Sequence, residues 1–211
     1  MLHYKYPIGN KVKFGGIGMN NQRNWTVLLI GGPSGTGKSS IAYRMAEHYG
    51  VNVLEIDDVY IAVKTASTKK DFPAVHYWDS DVDWMDIEVL GNVNWLTDVG
   101  KEMMPVLKEI VNRHLEDRIP IIIEGDFIHS ELAKSFQSSE VKSIFVIEKD
   151  SNQIVENYFH REGGDPQTYR AQISIEYGKK IQEYCEKNDL KVIDSRPFDT
   201  VLERVVEYIN K

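Results

Sequence analysis

Short apolar runs alternate with helical patterns along most of the chain. Five runs predict buried strands: Val27–Ile30, Val51–Ile56, Ile119–Glu124, Ser143–Ile147 and Lys191–Asp194. Each is brief, rich in Val and Ile, and free of the polar alternation that marks a half-exposed sheet. Helical spacing fills the intervals. Ser39–Tyr49 follows the first run, and Val99, Met103, Leu107, Ile110 and His114 mark a longer pattern before the third. Pro105 interrupts that pattern and predicts a kinked helix or two helices. Asp150 and Asp165 have the character of N-caps, the second followed by Pro166 at the first helical position. Val201, Leu202, Val205, Val206 and Ile209 form a closing helical stripe. Strands alternating with helices predict an α/β fold with a parallel sheet, because parallel neighbours need crossover connections.

Two stretches depart from this alternation. Residues 1–24 are rich in Gly, Asn and Lys and are expected to form an edge extension, a hairpin or a disordered segment. Residues 60–98 make a long insert that ends in three spaced tryptophans, Trp78, Trp84 and Trp95. Inserts at strand C-termini overhang the ligand crevice of an open α/β sheet, so this one is expected to meet a second substrate. From Asp71 to Glu88 it carries six carboxylates and no Lys or Arg. As a pocket lining it would repel an anionic acceptor and suit a neutral or cationic hydroxyl compound, with the rings available for stacking or cation–π contact. A solvated acidic loop with its tryptophans in a local core is the competing expectation, and Lys64, Lys69 and Lys70 offer positive charge nearby.

The chain has 211 residues, 42% apolar and 27% charged, which fits one globular domain over 1–211. A formal charge of −7 opposes adhesion to nucleic acid or an anionic membrane. Cys185 is alone, so no internal disulfide exists. No apolar run approaches a membrane span, and the N-terminus lacks the apolar region of a secretory signal. A cytoplasmic location is expected.

The first apolar run leads into GGPSGTGKSS, Gly31 to Ser40. Gly32 to Ser39 satisfies G-x-x-x-x-G-K-[ST] in full, between a predicted strand and a predicted helix. Backbone N–H groups from Gly35 to Lys38 are expected to curl into a nest for a polyphosphate, with Ser34, Thr36, Gly37 and Ser40 completing the cradle. The helix dipole adds to the field. Lys38 would bridge the β- and γ-phosphates of ATP, and the Ser39 hydroxyl would hold Mg²⁺. The guanine motif N-K-x-D, a D-x-x-G switch and L-S-G-G-Q are all absent from the sequence, which argues against a GTPase or a transporter ATPase.

GGPSGTGKSS, followed by the Asp57-Asp58-Val59-Tyr60 segment, then Ile121 to Asp126 (IIIEGD), then an Arg-flanked helical lid, resembles the nucleoside-monophosphate-kinase-like group of P-loop kinases. Within it the uridine kinases, the zeta-toxin type and 2-phosphoglycerate kinase are the similar members. The resemblance implies a three-layer P-loop fold, ATP and Mg²⁺ as cofactors, and an acid where Asp57 stands. Asp57 would accept the acceptor's proton or steady the metal. Strand alternation selects it over Asp58, whereas helix capping is the structural alternative. Glu124 would be a second metal-side carboxylate, and Gly125 would admit a substrate to the backbone. His129 is expected to start a loop or helix rather than bind metal. Residues 157–170 have the shape of the lid, with Arg161 and then Arg170 folding over the phosphates. Arg196 resembles the adenine-side loop residue.

Together these features predict a five-stranded parallel sheet of order 2-3-1-4-5 with a lid and an acceptor-binding insert. The expected activity is transfer of the γ-phosphoryl group of ATP to a hydroxyl of a small molecule. Nucleoside-, sugar- and glycerate-like acceptors and cationic compounds all remain open, and the enzyme would be a monomer or homodimer. An ATP-operated regulatory protein with weak hydrolysis is the alternative. A polynucleotide 5′-hydroxyl kinase ranks lower, because it would need a basic track.

Overall fold

The structure, a computed structural model, describes residues 23–79, 83–136 and 138–211. The N-terminal extension therefore lies, up to residue 22, outside the described residues, as does Asp81 of the insert. Five strands form one sheet: β1 (Val27–Gly31), β2 (Asn52–Glu55), β3 (Ile121–Gly125), β4 (Val141–Ile147) and β5 (Lys191–Asp194). Their order is β2-β3-β1-β4-β5 and every pairing is parallel, as expected. The central strands β1 and β3 are buried along their whole length, which explains their unbroken apolar sequences.

Side-chain alternation divides the core into two layers. Leu28 and Ile30 point to one face, packing with Ile41 and Met45 of α1 (Lys38–Tyr49) and with Val201, Val205 and Ile209. These last three are the buried stripe of the C-terminal helix α7 (Val201–Ile209). Val27 and Leu29 face the other layer, built on α3 (Val89–Asp117), α4 (Ser130–Ser135) and α6 (Thr168–Asn188). Each fully buried Leu or Ile contributes about 1.5–3 kcal/mol, so the two layers hold the sheet from both sides. Cys185 is buried in the second layer.

Pro105 sits inside one continuous 29-residue helix, α3, which sets aside the two-helix alternative. It lies on the exposed face, as does Lys101, whose carbonyl loses its intrahelical donor and can turn to water. Asp165 caps no helix, because α6 begins at Thr168 after Gln167. The second strand ends at Glu55, and Ile56 opens helix α2 (Ile56–Ala66). By contrast Asp150 does cap α5 (Ser151–Glu162), accepting from the Asn152 N–H at 2.9 Å.

The insert is fastened to the core. Its two short 3₁₀ turns, Tyr77–Asp79 and Trp84–Asp86, lie between α2 and α3. Buried His76 bridges Asp79 Oδ2 (2.6 Å) and Ser67 Oγ (3.1 Å), and Lys64 Nζ reaches Asp79 Oδ1 at 2.8 Å. Tyr60 donates to the Val75 carbonyl and the Trp95 indole to the Ala74 carbonyl, each at 2.9 Å.

Candidate active site

The loop between β1 and α1 owes its path to glycine. Gly32, Gly35 and Gly37 have φ of 138°, 77° and 88°. At Gly32 the constraint is also spatial, since a Cβ there would lie 2.1 Å from the Val146 carbonyl oxygen. The loop closes on itself through Thr36 Oγ1 and Lys38 Nζ, both donating to the Pro33 carbonyl at 2.9 Å. Asn157 of α5 donates to the Gly35 carbonyl at 2.7 Å and ties that helix to the loop. No side chain caps the start of α1, so its first-turn N–H groups remain directed at whatever enters the loop.

Lys38 is 5% exposed, and its ammonium lies 2.6 Å from Asp126 Oδ1. Burial opposes that charge, but Asp126 and then Glu124 outweigh it and hold the lysine pKa above its ordinary value. Strand register places Glu124 beside Ile30 of β1 and Glu55 of β2, at the C-terminal end of the sheet. Glu124 is buried and hydrogen-bonded to Ser39. Burial pushes its carboxyl up to about 7, against the pull of Lys38.

Asp57 occupies the first turn of α2 rather than a strand end. Burial and the neighbouring Asp126 raise its pKa, whereas Lys38 and Arg161 lower it. It thus faces the same charges as the loop lysine from a helix turn, where strand alternation does not apply. His129 caps α4, its Nδ1 accepting from the Glu131 N–H at 3.2 Å.

Two cavities flank the loop. One, of about 480 Å³, is lined by Gly35 to Ser40 with Gln153, Asn157, His160, Arg161, Arg196 and Phe198. The other, of about 420 Å³, is walled by Trp78, Trp84, Trp95, Phe127, Tyr158 and Tyr177, with Ser34, Asn92, Asp126, Arg170 and Ser174 as polar points. Ser34 and Arg170, expected on the nucleotide side, therefore stand on the aromatic side, and Gly32 lines neither cavity. Arg196 does border the first cavity, with its Nε 3.1 Å from Glu148 Oε2 and its guanidinium 5.7 Å from the centre of the Phe198 ring. Glu148 also accepts from Ser195 and from the Lys149 and Asp150 amides; these bonds overcome its burial and keep its carboxyl below the usual range.

The acidic insert meets each of its two expectations in part. Its tryptophans form the cavity wall, but its described carboxylates do not line it. Asp71 accepts from Thr68, Asp79 serves Lys64 and His76, and Asp83 caps a 3₁₀ turn. Among the described residues, the insert thus sets no carboxylate against an anionic acceptor.

Sequence reasoning does not single out Asp126, Asn157 or Tyr158. Asp126 closes the IIIEGD segment, but its meeting with Lys38 depends on Gly125 at φ 156°. A Cβ at Gly125 would come 2.8 Å from Ile56 Cβ, so that glycine answers to core crowding. Nothing in the local sequence announces either constraint.

A phosphate loop with its lysine at the head of α1, acids at the neighbouring strand end and a 2-3-1-4-5 parallel sheet define a P-loop kinase fold of the small-molecule group. The cytidylate kinase family model matches residues 28–157, and the chain belongs to that family. Among curated proteins it is similar to 2-phosphoglycerate kinase of Methanococcus vannielii, 24% identical over 199 residues, covering 87% of this chain and 64% of that protein. The Methanococcus maripaludis C5 enzyme of the same name is 25% identical over 213 residues, with 88% and 64% covered. The chain thus spans 64% of the length of these relatives. Among solved structures it is similar to shikimate kinase of Acinetobacter baumannii (TM-score 0.52, 13% identity, 89% of this chain and 94% of that one). It also resembles a gluconokinase of Sinorhizobium meliloti 1021 (TM-score 0.50, 15% identity, 90% and 94% covered). These structural likenesses speak to the fold.

Proposed function

We propose that the protein is an ATP-dependent kinase that phosphorylates a hydroxyl group of a small molecule bound in the aromatic cavity. The observation that carries this reading is the Lys38–Asp126 pair, whose lysine borders the phosphate-loop cavity and whose aspartate borders the aromatic one. Two cavities that meet at a part-buried ion pair suit in-line transfer between two bound partners.

The triphosphate lies against the Gly35–Ser40 amides, with Arg196 and Phe198 on the base side. The acceptor oxygen attacks the γ-phosphorus, the bond from that phosphorus to the β–γ bridging oxygen breaks, and ADP leaves with the electron pair. Asp57 takes the hydroxyl proton, a role suited to a carboxyl whose pKa is raised by burial. Lys38 and Arg161 neutralise the developing charge, and Asp126 orients the acceptor from its own side of the pair. Mg²⁺ fits here, because it keeps several waters and phosphate oxygens and needs only one or two protein ligands; the Ser39 hydroxyl and the Glu124 carboxylate already face each other. When bound, the ion supplies charge neutralisation of the β- and γ-oxygens.

With Arg170 and Asp126 among six aromatic walls, the cavity accommodates a ring-bearing hydroxyl compound, with or without one anionic group. A panel of nucleosides, sugars, sugar acids, 2-phosphoglycerate and aminoglycosides, assayed for acceptor-dependent ADP release in a cytoplasm-like buffer with Mg²⁺, tests the assignment. One or more acceptors should stimulate ADP release. Nucleotide binding with slow hydrolysis and no stimulation by any acceptor would instead favour an ATP-operated regulatory protein.

A further inference from the structure

One carboxylate joins the two arginines of the lid. Glu162 Oε1 accepts from Arg161 Nε at 2.9 Å, and Arg170 Nη1 lies 3.0 and 2.9 Å from its two oxygens. Gln167 Nε2 donates to Oε2 at 2.8 Å. Burial alone would raise this carboxyl, but its donors and the two guanidinium charges bring it down to about 2, so it is ionised throughout the physiological range. The two arginines serve different cavities, Arg161 the phosphate-loop side and Arg170 the aromatic side. Between them stands the Tyr158 ring, whose centre lies 5.2 Å from one guanidinium carbon and 4.3 Å from the other.

The connection extends into the acceptor wall. Tyr169, the neighbour of Arg170, donates to the Ile87 carbonyl and lies 5.9 Å from the Trp84 ring. Asn92 Nδ2 reaches the Trp84 carbonyl at 3.0 Å and the Ile87 carbonyl at 3.2 Å. The joint beneath Glu162 is compliant, for Gly163 and Gly164 have φ of 71° and 80° and nothing within 4 Å of where a Cβ would be.

We propose that Glu162 is a positioning residue that yokes Arg161 to Arg170, so that a polyphosphate engaging Arg161 changes the acceptor wall at Arg170, Tyr169 and Trp84. A polyphosphate offers Arg161 more negative charge and more acceptor oxygens than a carboxylate does. As Arg161 turns to it, Glu162 loses donors on one side and its hold on Arg170 changes on the other. Such coupling is reciprocal, so an acceptor drawn to Arg170 in turn alters the nucleotide side. This inference rests on the kinase reading above.

Calorimetric titration with Mg·ATP, paired with intrinsic tryptophan emission, separates the two. Wild type should bind Mg·ATP with a change in emission, and Trp84→Phe should bind with most of that change lost. Glu162→Gln should bind Mg·ATP but leave emission unaltered. If that variant does not fold, as judged by thermal unfolding, Glu162→Asp, which keeps the charge and shortens the reach, should show a reduced change. A wild-type-sized change in the Glu162 variant used, a full change in Trp84→Phe, or a silent wild type that binds ATP overturns the yoke and leaves the kinase assignment standing. Failure of wild type to bind Mg·ATP overturns both.

Discussion

The ammonium of Lys38 is shared between Asp126 Oδ1 at 2.6 Å and the Pro33 carbonyl at 2.9 Å, with Glu124 close enough to raise its pKa further. Lys38→Ala would leave two acids without their cation. Acceptor-dependent ADP release should disappear, and denaturant unfolding should show a loss of about 1–3 kcal/mol, the scale for a charged hydrogen bond whose remaining partner, Asp126, is only part-buried. Unchanged turnover would remove Lys38 from the mechanism.

Asp57→Asn keeps the shape of the side chain and removes its basicity. With the acceptor found by the panel, kcat should fall by about 10²–10⁴-fold while the calorimetric affinity for Mg·ATP stays nearly constant. An equal loss in both would make Asp57 a binding or structural residue.

Glu124 gives the protein a pH dependence of a definite sign. Its carboxyl titrates near 4.5 when unfolded and at about 7 when folded, so the folded state holds the proton longer. Stability should therefore be greatest below about 4.5, as far as this group is concerned, and fall as pH rises towards 7. A shift of that size corresponds to roughly 3 kcal/mol. Glu124→Gln should flatten this part of the stability profile measured by urea unfolding across the range.

Trp78 borders the aromatic cavity and meets Trp95 edge-on, with ring centres 5.2 Å apart. Trp78→Leu should raise the acceptor KM by about tenfold, the effect of losing one aromatic face, and leave ATP affinity untouched. Equal effects on both substrates would show that the cavity does not discriminate between them.

Gly32→Ala places a methyl group against the Val146 carbonyl in a backbone conformation that L-residues avoid. A destabilisation of about 3 kcal/mol or more is expected from thermal unfolding, with loss of nucleotide binding.

Much of this architecture is legible in the chain. Strands β1 and β3 announce themselves because both their faces are covered, which leaves no polar alternation to blur the signal, whereas β2 has no buried residue and β5 only Ile193. The phosphate loop is legible because its backbone geometry demands glycines at set intervals. What the chain conceals depends on long-range approach. Asp126 meets Lys38 across 88 residues, and Glu162 gathers two arginines only once a Gly–Gly joint has folded. The direction of the insert's carboxylates is hidden for a related reason. Asp71, Asp79 and Asp83 are engaged by Thr68, by Lys64 and His76, and by a 3₁₀ turn, whereas charge counted along a sequence carries no record of direction.

The anchoring of Lys38 within its own loop has a consequence for the nucleotide-free protein. With its positive end already moored to Pro33 and Asp126, the segment from Gly31 to Ser40 is templated during folding and does not wait for a triphosphate to mould it. Trypsin, which needs an extended and accessible lysine, should spare the Lys38–Ser39 bond in the apoprotein while cleaving exposed turn sites such as Lys69 and Lys70.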